Sequence, residues 1–210
     1  MTIEEIAKLM VTKGKGILAA DESTGTMGKR LKSVNVESNE KNRLNFRETL
    51  FTSDSMRTSI SGVILYDETI RQTSSKGILI PELIKKSGSI PGIKVDKGAK
   101  LLAGSSDEKI TEGLDGLRER MEEYYKLGAR FAKWRAVYSI SSKHPSEQCI
   151  KANAHALARY AAIVQDAKMV PIVEPEVLMD GNHAIDKCYE VTSKVLIECF
   201  NELKLKPSVA

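Results

Sequence analysis

The residues best equipped for chemistry in this sequence are charged side chains set into apolar runs. Ala129 to Tyr138 reads Ala-Arg-Phe-Ala-Lys-Trp-Arg-Ala-Val-Tyr. In an extended chain alternate side chains share a face, so Phe131, Lys133 and Arg135 point one way and Ala132 and Trp134 the other. Two cations on one face of a buried strand need partners, because burying an uncompensated charge costs several kcal/mol. Three further apolar runs carry charges at or near their C-terminal ends: Gly16-Ile-Leu-Ala-Ala-Asp21, Gly92-Ile-Lys-Val-Asp96 and Val170-Pro-Ile-Val-Glu174. If those faces converge, Asp21, Lys94, Asp96, Lys133, Arg135 and Glu174 form a cluster balanced in sign. Carboxylates and lysines packed together shift each other's pKa values, which lets one site hold an acid and a base near neutral pH. For a single pair such as Lys133 with Glu174, a structural ion pair is the plain alternative. Six such charges at strand ends favour a functional site.

The elements that must position these residues follow from the pattern. Thr2 with Glu5 reads as a capping box opening a helix whose apolar side is Ile6, Leu9 and Met10. A strand follows over Ile17 to Asp21. Glu22 to Lys29 reads as a Ser-, Thr- and Gly-rich loop. Ser38 to Phe51 reads as a helix with Leu44, Leu50 and Phe51 inward and a basic edge at Lys41, Arg43 and Arg47. Ser61 to Tyr66 is a second strand, and a short helix near Pro81 to Lys86 leads to a third strand, Ile93 to Asp96. Gly104 to Glu112 reads as a polar loop. Gly113 to Leu127 is a helix with Leu114, Leu117, Met121 and Tyr124 on one side, stopped at Gly128. After the strand at Ala129 to Tyr138, Pro145 to Lys168 is a long helix with Ile150, Ala154, Leu157, Ala161 and Val164 at helical spacing. The fifth strand, Met169 to Val173, ends in Glu174-Pro-Glu176. A helix from about His183 to Leu203 closes the pattern, with Ile185, Tyr189, Leu196 and Phe200 as its apolar side.

Strands alternating with helices indicate an α/β fold of parallel βα units. Charges at strand C-termini belong to the rim of a TIM barrel or the crevice of an open sheet. A dinucleotide fold is disfavoured, because no GxGxxG follows a strand. The glycines around Lys15 precede a strand and lack the GxxxxGK[ST] pattern, which argues against a phosphate loop of that kind. Only about five βα units can be counted, against the eight of a (β/α)8 barrel and its usual length of about 250 residues. We therefore expect residues 1–210 to be a single domain, C-terminally incomplete.

Bulk composition sets outer bounds. Of 210 residues, 41% are hydrophobic and 29% charged, and no apolar run is long enough to span a membrane. The acidic, amphipathic N-terminus is neither a signal nor a transit peptide. The odd cysteine count without CxxC spacing fits reduced thiols in the cytosol, buried on helices. A net charge of +4 suits a binder of small anions and is too dispersed to argue for nucleic acid. His144, His155 and His183 have no metal-ligand spacing, so packing or solvent is their expected setting. Trp134 is expected to be an outward-facing core residue, and Arg118 to Glu123 the solvated face of its helix.

At several of these stretches the sequence resembles class I fructose-bisphosphate aldolase. The matching segments are Lys15-Gly-Ile-Leu-Ala-Ala-Asp-Glu-Ser-Thr-Gly25, Lys29-Arg-Leu31, Asn42-Arg43, Gly62-Val-Ile-Leu65, Gly92-Ile-Lys-Val-Asp-Lys-Gly98, Gly113-Leu-Asp-Gly-Leu117, Phe131-Ala-Lys-Trp-Arg135 and Val173-Glu-Pro-Glu-Val-Leu178. They span nearly the whole chain in the family's order. The resemblance implies a TIM (β/α)8 barrel, a cytoplasmic homotetramer, and reversible cleavage of fructose 1,6-bisphosphate to dihydroxyacetone phosphate and glyceraldehyde 3-phosphate. It implies no metal and no cofactor, with a sugar phosphate as the partner and neither nucleic acid nor membrane.

By resemblance, Asp21 assists proton movement at the cleaved bond, and Glu174 is the acid/base for carbinolamine dehydration. Lys133 positions substrate and keeps the carboxylates ionised. Lys94 and Arg135 complete the electrostatic setting, while Arg30 and Arg43 face phosphates or hydroxyls. The family's nucleophile is a lysine on the sixth strand, within Leu-Leu-Lys-Pro-Asn/Ser-Met-Val, which forms the iminium that draws electrons from the breaking C–C bond. Here Leu205-Lys206-Pro207-Ser208 echoes that motif, directly after the last helix. The corresponding alternatives are a non-catalytic fragment or a scaffold that binds sugar phosphate without turnover.

Overall fold

A computed structural model describes residues 1–204. The elements run α1 (Ile3–Met10), β1 (Gly16–Ala20), α2 (Thr24–Ser33), α3 (Glu40–Phe51), α4 (Ser55–Ser59), β2 (Ile60–Leu65), α5 (Asp67–Ile70), α6 (Ile80–Lys86) and β3 (Ile90–Lys94). They continue with β4 (Ala99–Leu101), β5 (Lys109–Thr111), α7 (Leu117–Lys126), β6 (Phe131–Tyr138), α8 (Glu147–Asp166), β7 (Val170–Val177) and α9 (Ile185–Lys204). The principal sheet has the order β1-β2-β3-β6-β7, and β4 and β5 form a separate antiparallel pair. Parallel strands alternating with helices in sheet order are the βα units of a TIM-barrel fold.

Two compact units carry these elements: 1–94 with 122–132 and 168–170, and 95–121 with 133–167 and 171–210. In the first unit β1 pairs with β2 and β2 with β3, all parallel, in a register that aligns Ala20 with Leu65 and Leu65 with Ile93. Arg130 N donates to Pro91 O and Val170 N to Arg130 O, which carries the sheet onward. Val63, Leu65 and Ile93 from the strands are buried, as are Ile6, Phe51, Ile70 and Ile84 from the helices. Gly92 is required here by close approach: a Cβ at this position would lie 2.3 Å from the buried ring of Phe131.

In the second unit Val95 N donates to Lys133 O and Leu178 N to Tyr138 O. Its core contains Trp134, Tyr138, Ile150, Leu157, Tyr160, Val164, Val195 and Cys199. Trp134 packs on Tyr160 with ring centroids 5.4 Å apart, as expected of a core residue. Cys149 on α8 and Cys199 on α9 are buried, and burial raises their thiol pKa values to about 11 and about 12.

Several local expectations are corrected. The stretch read as a loop at Glu22 to Lys29 contains most of α2. Ser23 caps it by accepting from Thr26 N, and burial of Met27 and Leu31 outweighs the poor helix propensity of Gly25 and Gly28. The polar loop at Gly104 to Glu112 includes β5, whose short ladder with β4 has too few residues to show alternation. Arg120, placed on a solvated face, instead donates to the backbone carbonyls of Val95 and Gly113. The third strand ends at Lys94, so Asp96 lies beyond it in a turn, accepting from Gly98 N at 3.0 Å. Glu174 and Glu176 lie inside β7 rather than after it.

Candidate active site

Three of the charges expected to converge, Lys133, Arg135 and Glu174, form two rungs with Glu176, which the expected cluster did not include. Lys133 and Arg135 are two residues apart on β6, and Glu174 and Glu176 two apart on β7, so each pair of like charges shares a face. Lys133 Nζ lies 3.3 Å from Glu174 Oε2, and Arg135 Nη1 donates to Glu176 Oε2 at 2.8 Å. The rungs differ in environment. The Lys133 side chain is 11% exposed, whereas that of Arg135 is 47% exposed. The rungs therefore differ at the cation: Lys133 is largely buried and Arg135 half-exposed, while Glu174 and Glu176 are both about one-third exposed.

Desolvation pushes the Glu174 carboxyl above the ordinary carboxylate value, Lys133 pulls it back, and neighbouring Glu176 pushes it up again. A carboxyl whose pKa is raised by burial beside an ammonium is better placed to accept and return a proton, the requirement of an acid/base group. Tyr160 supports this rung from α8, donating to Ile172 O at 3.2 Å. Burial holds its phenol protonated, with Asp96 and Glu174 adding to the effect.

The first unit contributes a second set. Because Ala20, Leu65 and Ile93 are in register, the next residues outward are Asp21, Tyr66 and Lys94. Asp21 and Lys94 therefore stand at one level of the sheet and on one face, flanking β2, about 10 Å apart from strand spacing. Behind Asp21 lies a buried charge network. Arg47, 1% exposed, donates to Glu22 O at 2.5 Å and to Thr69 Oγ1 at 2.7 Å. Its guanidinium also lies 3.8 Å from Glu22 Oε2 and 3.9 Å from Glu68 Oε1. Burial lowers the Arg47 pKa below the ordinary arginine value, and the charges of Glu22, Glu68 and Asp21 oppose that shift.

Arg43 does not offer a phosphate-facing fork. Its Nε and Nη2 bind both oxygens of Glu68 at 2.8 and 2.6 Å, and Nη1 binds Ser38 O at 3.0 Å. Of the basic edge expected on this helix, Lys41 is exposed, whereas Arg43 and Arg47 are buried and turned toward Glu68 and Glu22. A helical wheel cannot distinguish an exposed cation from one matched to an acid far along the chain. Arg30 is the accessible one: its side chain is 58% exposed, with Nη1 2.5 Å from Glu22 Oε1.

Sequence reasoning missed Arg47, Glu22 and Glu68 as one network, and Tyr160 as the buried phenol bonded to the β7 backbone at Ile172. The Glu22 signal was available, since it adjoins Asp21 within the Ala-Ala-Asp-Glu-Ser motif. Lys206 lies outside the described residues.

Comparison with known proteins gives this arrangement a context. A family model described as fructose-bisphosphate aldolase class-I matches residues 2–207. A Xylella fastidiosa protein named "probable fructose-bisphosphate aldolase class 1" is 57% identical over 206 residues, covering 97% of this chain and 62% of that protein. A cytosolic fructose-bisphosphate aldolase of Arabidopsis thaliana is 56% identical over 192 residues, covering 91% of this chain and 54% of the plant protein. Among solved structures, fructose-bisphosphate aldolase from Plasmodium falciparum, in complex with TRAP and a small-molecule inhibitor, superposes with a TM-score of 0.94 at 47% identity. That match covers 96% of this chain and 58% of the Plasmodium one. The chain thus spans between about half and two thirds of the length of these relatives. A family match that runs almost end to end, joined to identity above one half, means that the chain belongs to the class I fructose-bisphosphate aldolases.

Proposed function

We propose that this chain acts in the Schiff-base cleavage of fructose 1,6-bisphosphate to dihydroxyacetone phosphate and glyceraldehyde 3-phosphate, and in the reverse condensation. The observation that carries the reading is the Lys133–Glu174 rung, in which burial raises the pKa of a carboxyl that lies 3.3 Å from the Lys133 ammonium. In this reading Glu174 exchanges the proton needed to dehydrate the carbinolamine. Lys133 orients substrate and holds the carboxylates ionised. Asp21 moves the proton at the breaking C–C bond. Lys94 and Arg135 supply positive charge to substrate oxygens, and Arg30 reaches a phosphate. Arg43 acts indirectly by fixing Glu68. The amine that forms the iminium lies in the family's sixth-strand motif, which Leu205 to Ser208 echoes, and borohydride trapping identifies the residue that carries it.

A net charge of +4 suits a doubly phosphorylated sugar. A cytoplasmic setting is supported by the plant relatives named cytosolic, and no described helix is long and apolar enough to cross a membrane. A homotetramer is the assembly that the family resemblance implies. The test is borohydride trapping with dihydroxyacetone phosphate, followed by intact mass and peptide mapping. The proposal predicts one adduct, diminished at least about tenfold by Lys133→Met, and peptide mapping decides whether Lys206 carries it. No mass increase, with phosphate binding retained, would replace this reading with that of a sugar-phosphate-binding scaffold.

A further inference from the structure

We infer that the loops following β6 and β7 form a binding site for a small oxyanion, a phosphate or phosphomonoester. Between them lies a cavity of about 480 Å³, within the size range of small-ligand sites. Its polar lining is Ser141, Ser142, Asn182, His183 and Lys187, with no carboxylate residue among the lining residues described. Every one of these side chains can donate a hydrogen bond.

Three details suit an acceptor-rich guest. His183 Nδ1 is buried and has no hydrogen-bond partner in the protein. Such an atom is costly to leave unsatisfied, and a small turn of the imidazole would let a guest oxygen satisfy it. Gly181 has φ +129°, and a Cβ there would stand 3.2 Å from His183 Nδ1, so any larger residue would press on the ring that must turn to present that nitrogen. Ser141 Oγ already accepts from the backbone N–H groups of Lys143 and His144, which leaves its hydroxyl proton to donate.

Lys187 is the source of charge. Its ammonium is held by Glu190 at 2.9 Å, but both side chains are largely in water, where such a pair is weak and a multivalent anion competes well. The cavity also opens at the start of α9, a helix of 20 residues whose N-terminal dipole favours negative charge. Asp180 and Asp186 are the acidic neighbours in sequence, and neither lines the cavity. The site stands independently of the aldolase reading, because none of its residues has a role there.

The experiment is a titration of the folded chain with inorganic phosphate at constant ionic strength, followed by amide and imidazole NMR. Saturable shifts at Ser141, Ser142, Asn182 and His183 are expected. Lys187→Met and His183→Gln should each weaken binding by about fivefold or more, as loss of a charge-assisted or buried donor does. Gly181→Ala should weaken it by crowding Nδ1. Lys187 is half-exposed, so its variant is expected to fold. A repeat with glycerol phosphate separates the two sources: tighter binding than inorganic phosphate assigns a phosphomonoester, and equal binding assigns free phosphate. Linear shifts without saturation, affinity unchanged in both variants, or shifts confined to residues around Arg30 and Lys94 would overturn the site.

Discussion

Lys133 and Glu174 face each other from adjacent strands with 3.3 Å between ammonium nitrogen and carboxylate oxygen, and burial raises the carboxyl while the lysine restrains it. The two influences can be separated. In Lys133→Met the desolvation persists and the opposing charge is gone, so the Glu174 pKa should rise further. Carboxyl-carbon NMR titration reads this directly. An unchanged or lower midpoint would mean that Lys133 does not control Glu174. A raised carboxyl also means that the folded state holds its proton more tightly than the unfolded chain. The contribution of Glu174 to stability therefore declines as pH rises from the ordinary value, near 4.5, through the folded one.

The Arg43–Glu68 fork has the opposite sign. Hydrogen bonding from Arg43 holds the Glu68 carboxyl below the ordinary value, so the unfolded chain binds its proton more readily. The stabilisation is complete above the unfolded pKa and is lost as pH falls through the folded one. Arg43→Met should lower stability at neutral pH and flatten the acid limb of a stability–pH curve, measured by urea unfolding. A parallel downward shift at all pH values would show that packing, not the ion pair, was lost.

Arg47→Met probes the network behind Asp21. Two hydrogen bonds disappear, one buried and one part-buried, and the Glu22 and Glu68 carboxylates lose a neighbouring cation. Removing one partner of a buried charge network costs about 3 kcal/mol. Urea unfolding should show a loss of that order, whereas Arg30→Met, at the exposed end of the same network, should cost under about 1 kcal/mol. Equal losses would argue against a buried network.

The strands of the fold were legible because their apolar runs are short, β-rich and bounded by glycine or polar turns, as in Gly62-Val-Ile-Leu65. Lys133 with Glu174 was legible because a buried cation demands an anion. Arg43 and Arg47 were not, since their partners Glu68 and Glu22 lie 25 residues away along the chain, beyond any local pattern. Helix α2 was hidden by its glycines, and its cap was visible only as one serine in a polar stretch.

Gly92 and Phe131 give a test of packing. Gly92→Ala places a methyl group 2.3 Å from the Phe131 ring, and overpacking of this kind costs about 1–3 kcal/mol. Phe131→Leu alone should also destabilise, by leaving a void. Together the changes should cost less than their sum, because the smaller side chain makes room for the methyl group. Thermal unfolding of the four members of the cycle measures the coupling, and strict additivity would mean that the backbone, not the ring, absorbs the clash.

Helix α9 inverts the expected face, and that can be measured. The sequence offers Ile185, Tyr189, Leu196 and Phe200 as its apolar stripe, yet these are 80%, 76%, 38% and 59% exposed. The buried side is Val191, Val195 and Cys199, with shorter side chains that allow close packing on α8. Periodicity finds both stripes, and the larger residues made the exposed one look like the core. Val195→Ala should therefore cost about 1–2 kcal/mol, since Val195 is fully buried. Phe200→Lys should stay within about 0.5 kcal/mol, the range of exposed substitutions. Chemical denaturation of the two variants distinguishes the faces. If Phe200→Lys proves the more damaging, the stripe is covered in solution, and the buried face of α9 is wider than the contact with α8 implies.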